Sequence, residues 1–158
     1  MRYGKDCTGV CTYQKEYFSA PDAVKYADLT REKLRELGVE FVDIDDISED
    51  GLLHDEEDRI RIGAKFRKSG VDGLFFPHGN FGTEYEVARL AKELQVPVLL
   101  WGPRDERPDE KGVRLRDSQC GLFATGKVLR RFQVPFTYLA NCRLEDKEFA
   151  QGIRNFLA

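Results

Sequence analysis

Short runs of β-forming residues alternate along this chain with segments whose apolar residues recur at helical spacing. The clearest run, residues 71–77, is almost continuously apolar, which is typical of a strand that is covered on both faces. Such alternation is the pattern of a parallel sheet whose strands are joined by crossover helices. It constrains the fold strongly, because strands without intervening helices, or helices alone, give a different pattern.

The pattern predicts five strands and five helices. The predicted strands cover residues 8–13, 39–44, 71–77, 96–101 and 134–140. The predicted helices cover residues 20–37, 55–68, 83–95 and 118–132, followed by a last helix with the apolar stripe Phe149, Ile153, Phe156 and Leu157. Ser19 and Ser118 are expected as helix caps, and Gly38 is expected to end the first helix. We therefore expect a single α/β domain over residues 1–158, a flavodoxin-like (Rossmann-like) three-layer sandwich with strand order 2-1-3-4-5.

Charge and composition exclude several classes of partner. Charged residues make up 34% of the chain, both signs are interspersed, and the net charge is -3. We expect no nucleic-acid partner, since such proteins present a basic patch or stripe. No apolar run approaches the ~20 residues that cross a bilayer, and no basic-then-apolar leader stands at the start. We therefore expect no membrane partner and a cytoplasmic location, with the four cysteines as free thiols.

Several known motifs are missing from the sequence. It contains no GxGxxG, no P-loop and no nucleophile elbow, so dinucleotide, nucleoside triphosphate and esterase functions lose their main support. The acidic stretch 43–58 lacks the spacing of an EF-hand, and we interpret it as a solvated loop followed by the acidic first turn of a helix. Cys7 and Cys11 stand four residues apart without a visible third ligand. We predict no metal site.

Ligands of sheets of this kind bind at the carboxyl ends of the strands. The candidates there are residues 14–19, 45–46, 78–84, 102–105 and Asn141, and the segment PHGNFGTE at residues 77–84 is the most informative of them. Its two glycines allow the backbone to approach a ligand closely, and Asn80 offers both a donor and an acceptor. Phe81 could pack on the C–H face of a polyhydroxylated ligand such as a sugar, or it could fold back onto the sheet edge.

Three other side chains allow both a functional and a structural interpretation. His78 could be an acid or base, or it could orient the loop backbone, and the second is favoured because no partner stands near it in sequence. Cys120, near the start of a helix, could have a lowered pKa, but a buried small apolar side chain is the favoured interpretation. Trp101 could stack on a ligand, although packing in the core is favoured.

Longer stretches resemble a known family. HGNFGTE, PVLLWGPRDE, RDSQCGLFATGKVLRRF and VPFTYL resemble the N-terminal region of the L-fucose isomerase and L-arabinose isomerase superfamily, especially its fucose-isomerase-like bacterial members. The resemblance extends from about Tyr17 to the end of the chain. It implies an aldose–ketose isomerisation through an enediol, with a divalent ion, usually manganese. Because the family's metal ligands and acid/base carboxylates lie downstream, the resemblance implies that this chain has no catalytic residue, metal ligand or cofactor of its own.

The resemblance also implies site residues and partners. In the family the N-terminal domain contributes to oligomer contacts and lends substrate contacts to a neighbouring subunit's active site. By position, Asn80, Phe81 and Gly82 match an aromatic-bearing loop after the third strand, with His78 just before it, and Gln14 falls near a polar contact after the first strand. These residues are the predicted sugar contacts. The implied partners are a sugar substrate and the remaining chain or neighbouring subunits of a homo-oligomeric isomerase.

Three functions of different classes follow. The first is a substrate-binding and oligomerisation domain of a sugar ketol isomerase that is not catalytic alone. The second is an independent flavodoxin-like module that binds a small ligand or regulates. The third is a small stand-alone enzyme that uses His78 or Cys120. The missing downstream metal ligands speak against independent isomerase activity.

Overall fold

The computed structural model describes residues 7–13, 20–80 and 82–158. Strands and helices alternate along these residues. The strands are β1 Thr8–Val10, β2 Phe41–Val42, β3 Gly73–Pro77, β4 Val98–Trp101 and β5 Thr137–Tyr138. The helices are α1 Ala20–Glu36, α2 Glu56–Ser69, α3 Glu84–Leu94, α4 Ser118–Arg131 and α5 Lys147–Phe156. Ser19, the expected cap of α1, lies outside the described residues.

The strands form one parallel sheet in the order β2-β1-β3-β4-β5, which confirms the predicted α/β three-layer fold and its strand order. In the register, Phe75 pairs with Leu99, and Leu100 pairs with Tyr138. The central strand β3 is buried at all of its positions. A continuous apolar run is expected of such a strand, because helices cover both of its faces.

The two faces of the sheet carry separate cores, because successive side chains of a strand point to opposite faces. Leu74 and Phe76 pack in the larger core with residues of α2, α3 and α4. Phe75 packs on the other face with Leu34 of α1 and Phe149 of α5. Helices α2, α3 and α4 therefore cover one face, and α1 and α5 cover the other.

The helix ends follow local chemistry with one correction. The Asp55 side chain caps α2 by accepting from the backbone nitrogen of Asp58 at 3.0 Å, as expected for the acidic helix start, and Gly38 ends α1 with a positive φ of 71°. The prediction that Ser118 caps α4 is wrong. Ser118 is the first residue of the helix, and Asp105 from the preceding loop accepts from its backbone nitrogen at 2.9 Å. A carboxylate distant in sequence takes over the capping, and a local pattern does not reveal it.

The edge strands are shorter than the pattern predicts. Residues 39–44 and 134–140 were expected in strands, whereas β2 is Phe41–Val42 and β5 is Thr137–Tyr138. The apolar pattern marks the residues that can be extended, but a strand reaches only as far as its one neighbour supplies hydrogen-bond partners. Among the described helices, none combines the length and apolar character needed to cross a membrane.

Candidate ligand site at the carboxyl edge of the sheet

The connections after β1, β3 and β4 meet at the carboxyl edge of the sheet. The connection after β3 begins at His78, and the connection after β4 is the loop of residues 102–117, named here the β4–α4 loop. Two predicted sugar contacts, Gln14 and Phe81, lie outside the described residues, so their assignment stays a prediction. The other three, His78, Asn80 and Gly82, all lie between β3 and α3.

His78 is fully buried and belongs to a chain of hydrogen bonds. Its Nδ1 lies 3.1 Å from the carbonyl oxygen of Trp101, and its Nε2 lies 3.1 Å from Oγ1 of Thr125. The Tyr13 hydroxyl lies 2.7 Å from the same Thr125 oxygen. One assignment of hydrogens satisfies these contacts: Tyr13 donates to Thr125, Thr125 donates to Nε2, and Nδ1 donates to the carbonyl. These hydrogen bonds join the segments that follow β1 and β3 to β4 and α4.

The surroundings of His78 keep its ring neutral. Burial lowers the pKa of His78 to about 4, although its hydrogen bonds to backbone carbonyls act in the opposite direction. A general acid or base that works near neutral pH needs a pKa closer to that pH. The geometry fits the interpretation that His78 orients the start of the loop, and its assignment as a sugar contact stays a prediction.

Asn80 fastens the β4–α4 loop to the end of β3. Its side chain is buried, its Nδ2 donates to the carbonyl oxygen of Leu115 at 3.4 Å, and its Oδ1 accepts from the backbone nitrogen of Asp117 at 3.3 Å. The loop therefore reaches α4 at a position fixed relative to β3. The assignment of Asn80 as a sugar contact stays a prediction.

The two glycines between β3 and α3 have different roles: Gly82 allows an unusual backbone conformation, and Gly79 allows close packing. Gly82 has a φ of 140°, which side-chain-bearing residues rarely adopt. At Gly79 an added Cβ would lie 3.0 Å from Cγ2 of Thr12 and 3.2 Å from Cβ of Ala23. The glycine at position 79 thus lets α1 pack against the loop, whereas the sequence suggested close approach to a ligand. The assignment of Gly82 as a sugar contact stays a prediction.

Two polar residues of the β4–α4 loop and two of the first turn of α4 form a group that we call the loop–α4 cluster: Asp105, Arg116, Ser118 and Gln119. Arg116 is buried, and its Nη2 donates to Glu106 at 2.8 Å. The guanidinium carbon of Arg116 lies 3.5 Å from the ring centroid of Tyr26 in α1. Asp105 lies 3.6 Å from the same Nη2 and also holds the first backbone nitrogen of α4.

One polar atom of each member of the loop–α4 cluster is buried without a hydrogen-bond partner among the described residues. These atoms are Arg116 Nη1, Asp105 Oδ1, Ser118 Oγ and Gln119 Oε1. A buried polar group that makes no hydrogen bond lowers the stability of the fold by about 1–3 kcal/mol. Such groups are therefore uncommon, and a bound ligand or water is one explanation for them. The cluster combines donors and acceptors within one turn of a helix and the loop before it, and this mixture suits a ligand with several hydroxyl groups.

Hydrogen bonds and burial determine the protonation states of Glu106 and Tyr26, which lie beside the loop–α4 cluster. Burial alone would raise the pKa of Glu106, but hydrogen bonds from Tyr26 and Arg116 outweigh it and lower that pKa. Burial, together with the hydrogen bond to Glu106, raises the pKa of Tyr26 to about 12. At neutral pH, Glu106 is therefore ionised and Tyr26 keeps its proton, so the hydroxyl donates and the carboxylate accepts.

The sequence did not identify Arg116, Ser118 or Gln119 as site residues, although residues 102–105 were candidates. Arg116 ends a long polar loop without periodicity, and nothing in the sequence shows that α1 covers it. The structure confirms Trp101 as a core residue and corrects the interpretation of Cys120, which is exposed. A hydrogen bond to Asp117, with a smaller contribution from desolvation, raises the pKa of the Cys120 thiol, so the start of α4 does not activate it.

A metal ion would need several protein ligands within reach of one point. In residues 7–13, 20–80 and 82–158, no three His, Cys, Asp or Glu side chains come together in that way. The described donor set therefore does not fit the manganese site of the family that the sequence resembles, and no step through that ion is assigned to this chain.

Comparisons with known proteins give the family. No curated protein matches this chain. The crystal structure of an ABC transporter solute binding protein from Bacillus halodurans, with bound myo-inositol, is similar at 9% identity and a TM-score of 0.39, over 89% of this chain and 58% of that chain. The model of the family described as fucose/sulfoquinovose isomerase, N-terminal domain, matches residues 9–158, so this chain belongs to that family.

Proposed function

We propose that this chain is the substrate-binding and assembly domain of a sugar ketol isomerase of the L-fucose or L-arabinose type, and that it is not catalytic alone. Membership in the fucose/sulfoquinovose isomerase family supports the reaction class, an aldose–ketose interconversion. The carboxyl edge of the sheet contacts the sugar. The catalytic step takes place on the remaining chain or on neighbouring subunits of a homo-oligomer.

The loop–α4 cluster is the observation that carries this proposal. A sugar presents hydroxyl groups that donate and accept at once, which matches the kinds of atom left without a partner here: a guanidinium nitrogen, a carboxylate oxygen, a hydroxyl and an amide oxygen. Residues 104–117 carry five basic and five acidic side chains, so the proposal covers neutral sugars and anionic ones alike.

The described residues do not support a stand-alone enzyme that uses His78 or Cys120. The imidazole of His78 is buried and neutral, and the Cys120 thiol has a raised pKa. In this proposal the manganese of the family is held outside the described residues. A cytoplasmic location belongs to the same proposal, because all four cysteines are free thiols, as in a reducing compartment.

The first test is an isomerisation assay of the 158-residue chain with manganese and a panel that includes L-fucose and L-arabinose. We expect no turnover, and turnover would contradict the non-catalytic assignment. The same panel is titrated into the ¹⁵N-labelled chain while amide chemical shifts are followed. We expect shifts at the loop–α4 cluster, and saturable shifts elsewhere without any at Arg116, Ser118 or Gln119 would contradict the assigned site.

The substitution Ser118→Ala sharpens this test. The Ser118 hydroxyl has no hydrogen-bond partner among the described residues, so its removal should leave the free energy of unfolding unchanged or slightly raise it. A hydroxyl that serves only the fold would then leave sugar binding unchanged too. We expect sugar affinity to fall about tenfold, as for the loss of one good hydrogen bond. Ser69→Ala, the same change at the exposed end of α2, is the matched control.

A further inference from the structure

A groove of about 760 Å³ lies on the β5 side of the sheet, away from the carboxyl edge. It is bounded by the end of α3, the start of β4, the connection from α4 to β5, β5 itself and α5. Its walls are largely apolar and include Val96, Pro97, Pro135, Phe136, Tyr138 and Phe156. We call this surface the β5 groove. A large exposed apolar surface commonly marks a site where another molecule binds.

The outer edge of β5 is open. Leu139 donates its backbone N–H to the carbonyl of Leu100 at 2.9 Å, on the β4 side. Alternate residues of a strand direct their backbone groups to opposite edges, so the N–H and carbonyl of Tyr138 point away from β4. Neither group has a backbone partner among the described residues, and Tyr138 as a whole residue is 65% exposed. An open strand edge is a template for another strand.

Unpaired positive charges lie on one side of the β5 groove. Lys92 lines it, and Arg130 and Arg131, at the end of α4, stand just before the connection that forms one wall. All three are exposed, and none makes an ion pair within the described part of the chain. The nearby carboxylate of Glu93 is engaged by Arg59 and Arg67 instead. The rim therefore favours an acidic partner.

We propose that the β5 groove binds an extended acidic segment of another polypeptide, which adds a strand to β5. Apolar side chains of this segment fill the groove, and the alternate acidic side chains, which all point to the face covered by α3 and α4, meet Lys92, Arg130 and Arg131. A second copy of this chain fits less well, because self-pairing of two β5 edges brings two rims of the same charge together. The site lies at another edge of the sheet and does not depend on the proposed sugar site.

The test uses two synthetic peptides, one of alternating valine and glutamate and one of alternating valine and lysine. Each is titrated into the ¹⁵N-labelled 158-residue chain. We expect the glutamate peptide to shift the amides of residues 136–139 and 154–156 and to leave those of Arg116 and Ser118 unchanged. The lysine peptide should bind at least about tenfold more weakly. Absence of shifts at about 1 mM glutamate peptide, or equal affinity for both peptides, would overturn the proposal.

Two variants separate strand addition from contact with the groove alone. Tyr138→Pro removes the outward N–H, which an edge strand tolerates, while Tyr138→Val removes the same side chain and keeps the N–H. We expect the proline variant to lose binding and the valine variant to keep most of it, and equal binding by both would overturn strand addition. Should the proline variant not fold, Arg130→Glu with Arg131→Glu tests the charge, and unchanged affinity for the glutamate peptide would overturn the proposal. Dimerisation of the free chain through β5 would also overturn it.

Discussion

The guanidinium of Arg116 stacks on the ring of Tyr26, with 3.5 Å between the guanidinium carbon and the ring centroid. The hydroxyl of the same Tyr26 donates to Glu106. Glu106 lies near the beginning of the β4–α4 loop and Arg116 near its end, so one side chain of α1 holds both ends of the loop. This contact determines where the loop–α4 cluster stands.

Removal of the Tyr26 ring should release the β4–α4 loop. We expect Tyr26→Leu to lower the free energy of unfolding by about 1–2 kcal/mol, because it loses both the stacking on Arg116 and the hydrogen bond to Glu106. Tyr26→Phe keeps the ring and should cost less. The measurements are urea unfolding and amide hydrogen exchange over residues 106–116. Equal exchange in the two variants would show that the ring does not hold the loop.

Asn80 should hold the same loop from the side of β3. Asn80→Ala removes the hydrogen bonds to Leu115 and Asp117, and we expect it to lower the free energy of unfolding by about 1–3 kcal/mol and to speed proteolysis of the loop. Limited proteolysis followed by mass spectrometry locates the cuts. Asn155→Ala, at an exposed position of α5, is the control and should leave the cuts unchanged. Faster cleavage outside the loop alone would contradict this role.

Stability should depend on pH through His78. Its pKa is about 4 in the folded state against an ordinary value of 6.5, so above pH 6.5 both states are neutral and the group contributes no pH dependence. As the pH falls from about 6.5 to 4, the unfolded state binds the proton first, and the free energy of unfolding falls by up to about 3 kcal/mol. Urea unfolding of the wild type and of His78→Gln at several pH values isolates this contribution by difference.

An NMR titration measures the pKa of His78 directly, in a variant that keeps this residue. The variant His54→Gln leaves one histidine in the chain, so the remaining imidazole signal belongs to His78. We expect that signal to stay in its neutral position from pH 7 down to about 5. A midpoint near the ordinary 6.5 would mean that the ring is exposed to solvent, and the hydrogen-bonded chain with Tyr13 and Thr125 would be wrong.

Gly79→Ala should push α1 away from the loop after β3. The added methyl would lie 3.0 Å from Thr12 and 3.2 Å from Ala23, and we expect a loss of about 1–3 kcal/mol in the free energy of unfolding. Gly63→Ala is the matched control inside α2, where the nearest atom to the new Cβ lies at 3.5 Å. There we expect a gain of about 0.5–1 kcal/mol, since alanine favours the helix. Similar effects of both changes on thermal unfolding would contradict the packing argument.

The apolar pattern of the sequence was sufficient to predict β3, β4 and the helices to within a few residues, whereas β1 was expected over residues 8–13 and is Thr8–Val10. The strand order was inferred from the flavodoxin-like class of fold, and the structure confirms it. Leu74, Phe75 and Phe76 are apolar in succession because both faces of β3 are covered, and that requirement is visible in the sequence itself. The limits of β2 and β5 were not predictable, since an edge strand ends where its single neighbour stops supplying partners. Among the predicted site residues, the sequence located His78 and Asn80 at the carboxyl edge but not the hydrogen bonds that occupy them.

The sequence by itself determined the class of fold, because burial of alternating strands and helices imposes a periodic pattern along the chain. It also determined the family, through longer stretches that resemble it and through the family model that matches residues 9–158. Only the tertiary structure decided the loop–α4 cluster and the β5 groove. Tyr26 stands far from Asp105 and Arg116 in sequence, and its meeting with them depends on the path of a loop that has no periodicity. The β5 groove likewise depends on which strand lies at the edge of the sheet and on which side chains the packing leaves unpaired, and both follow from contacts that are not local in the chain.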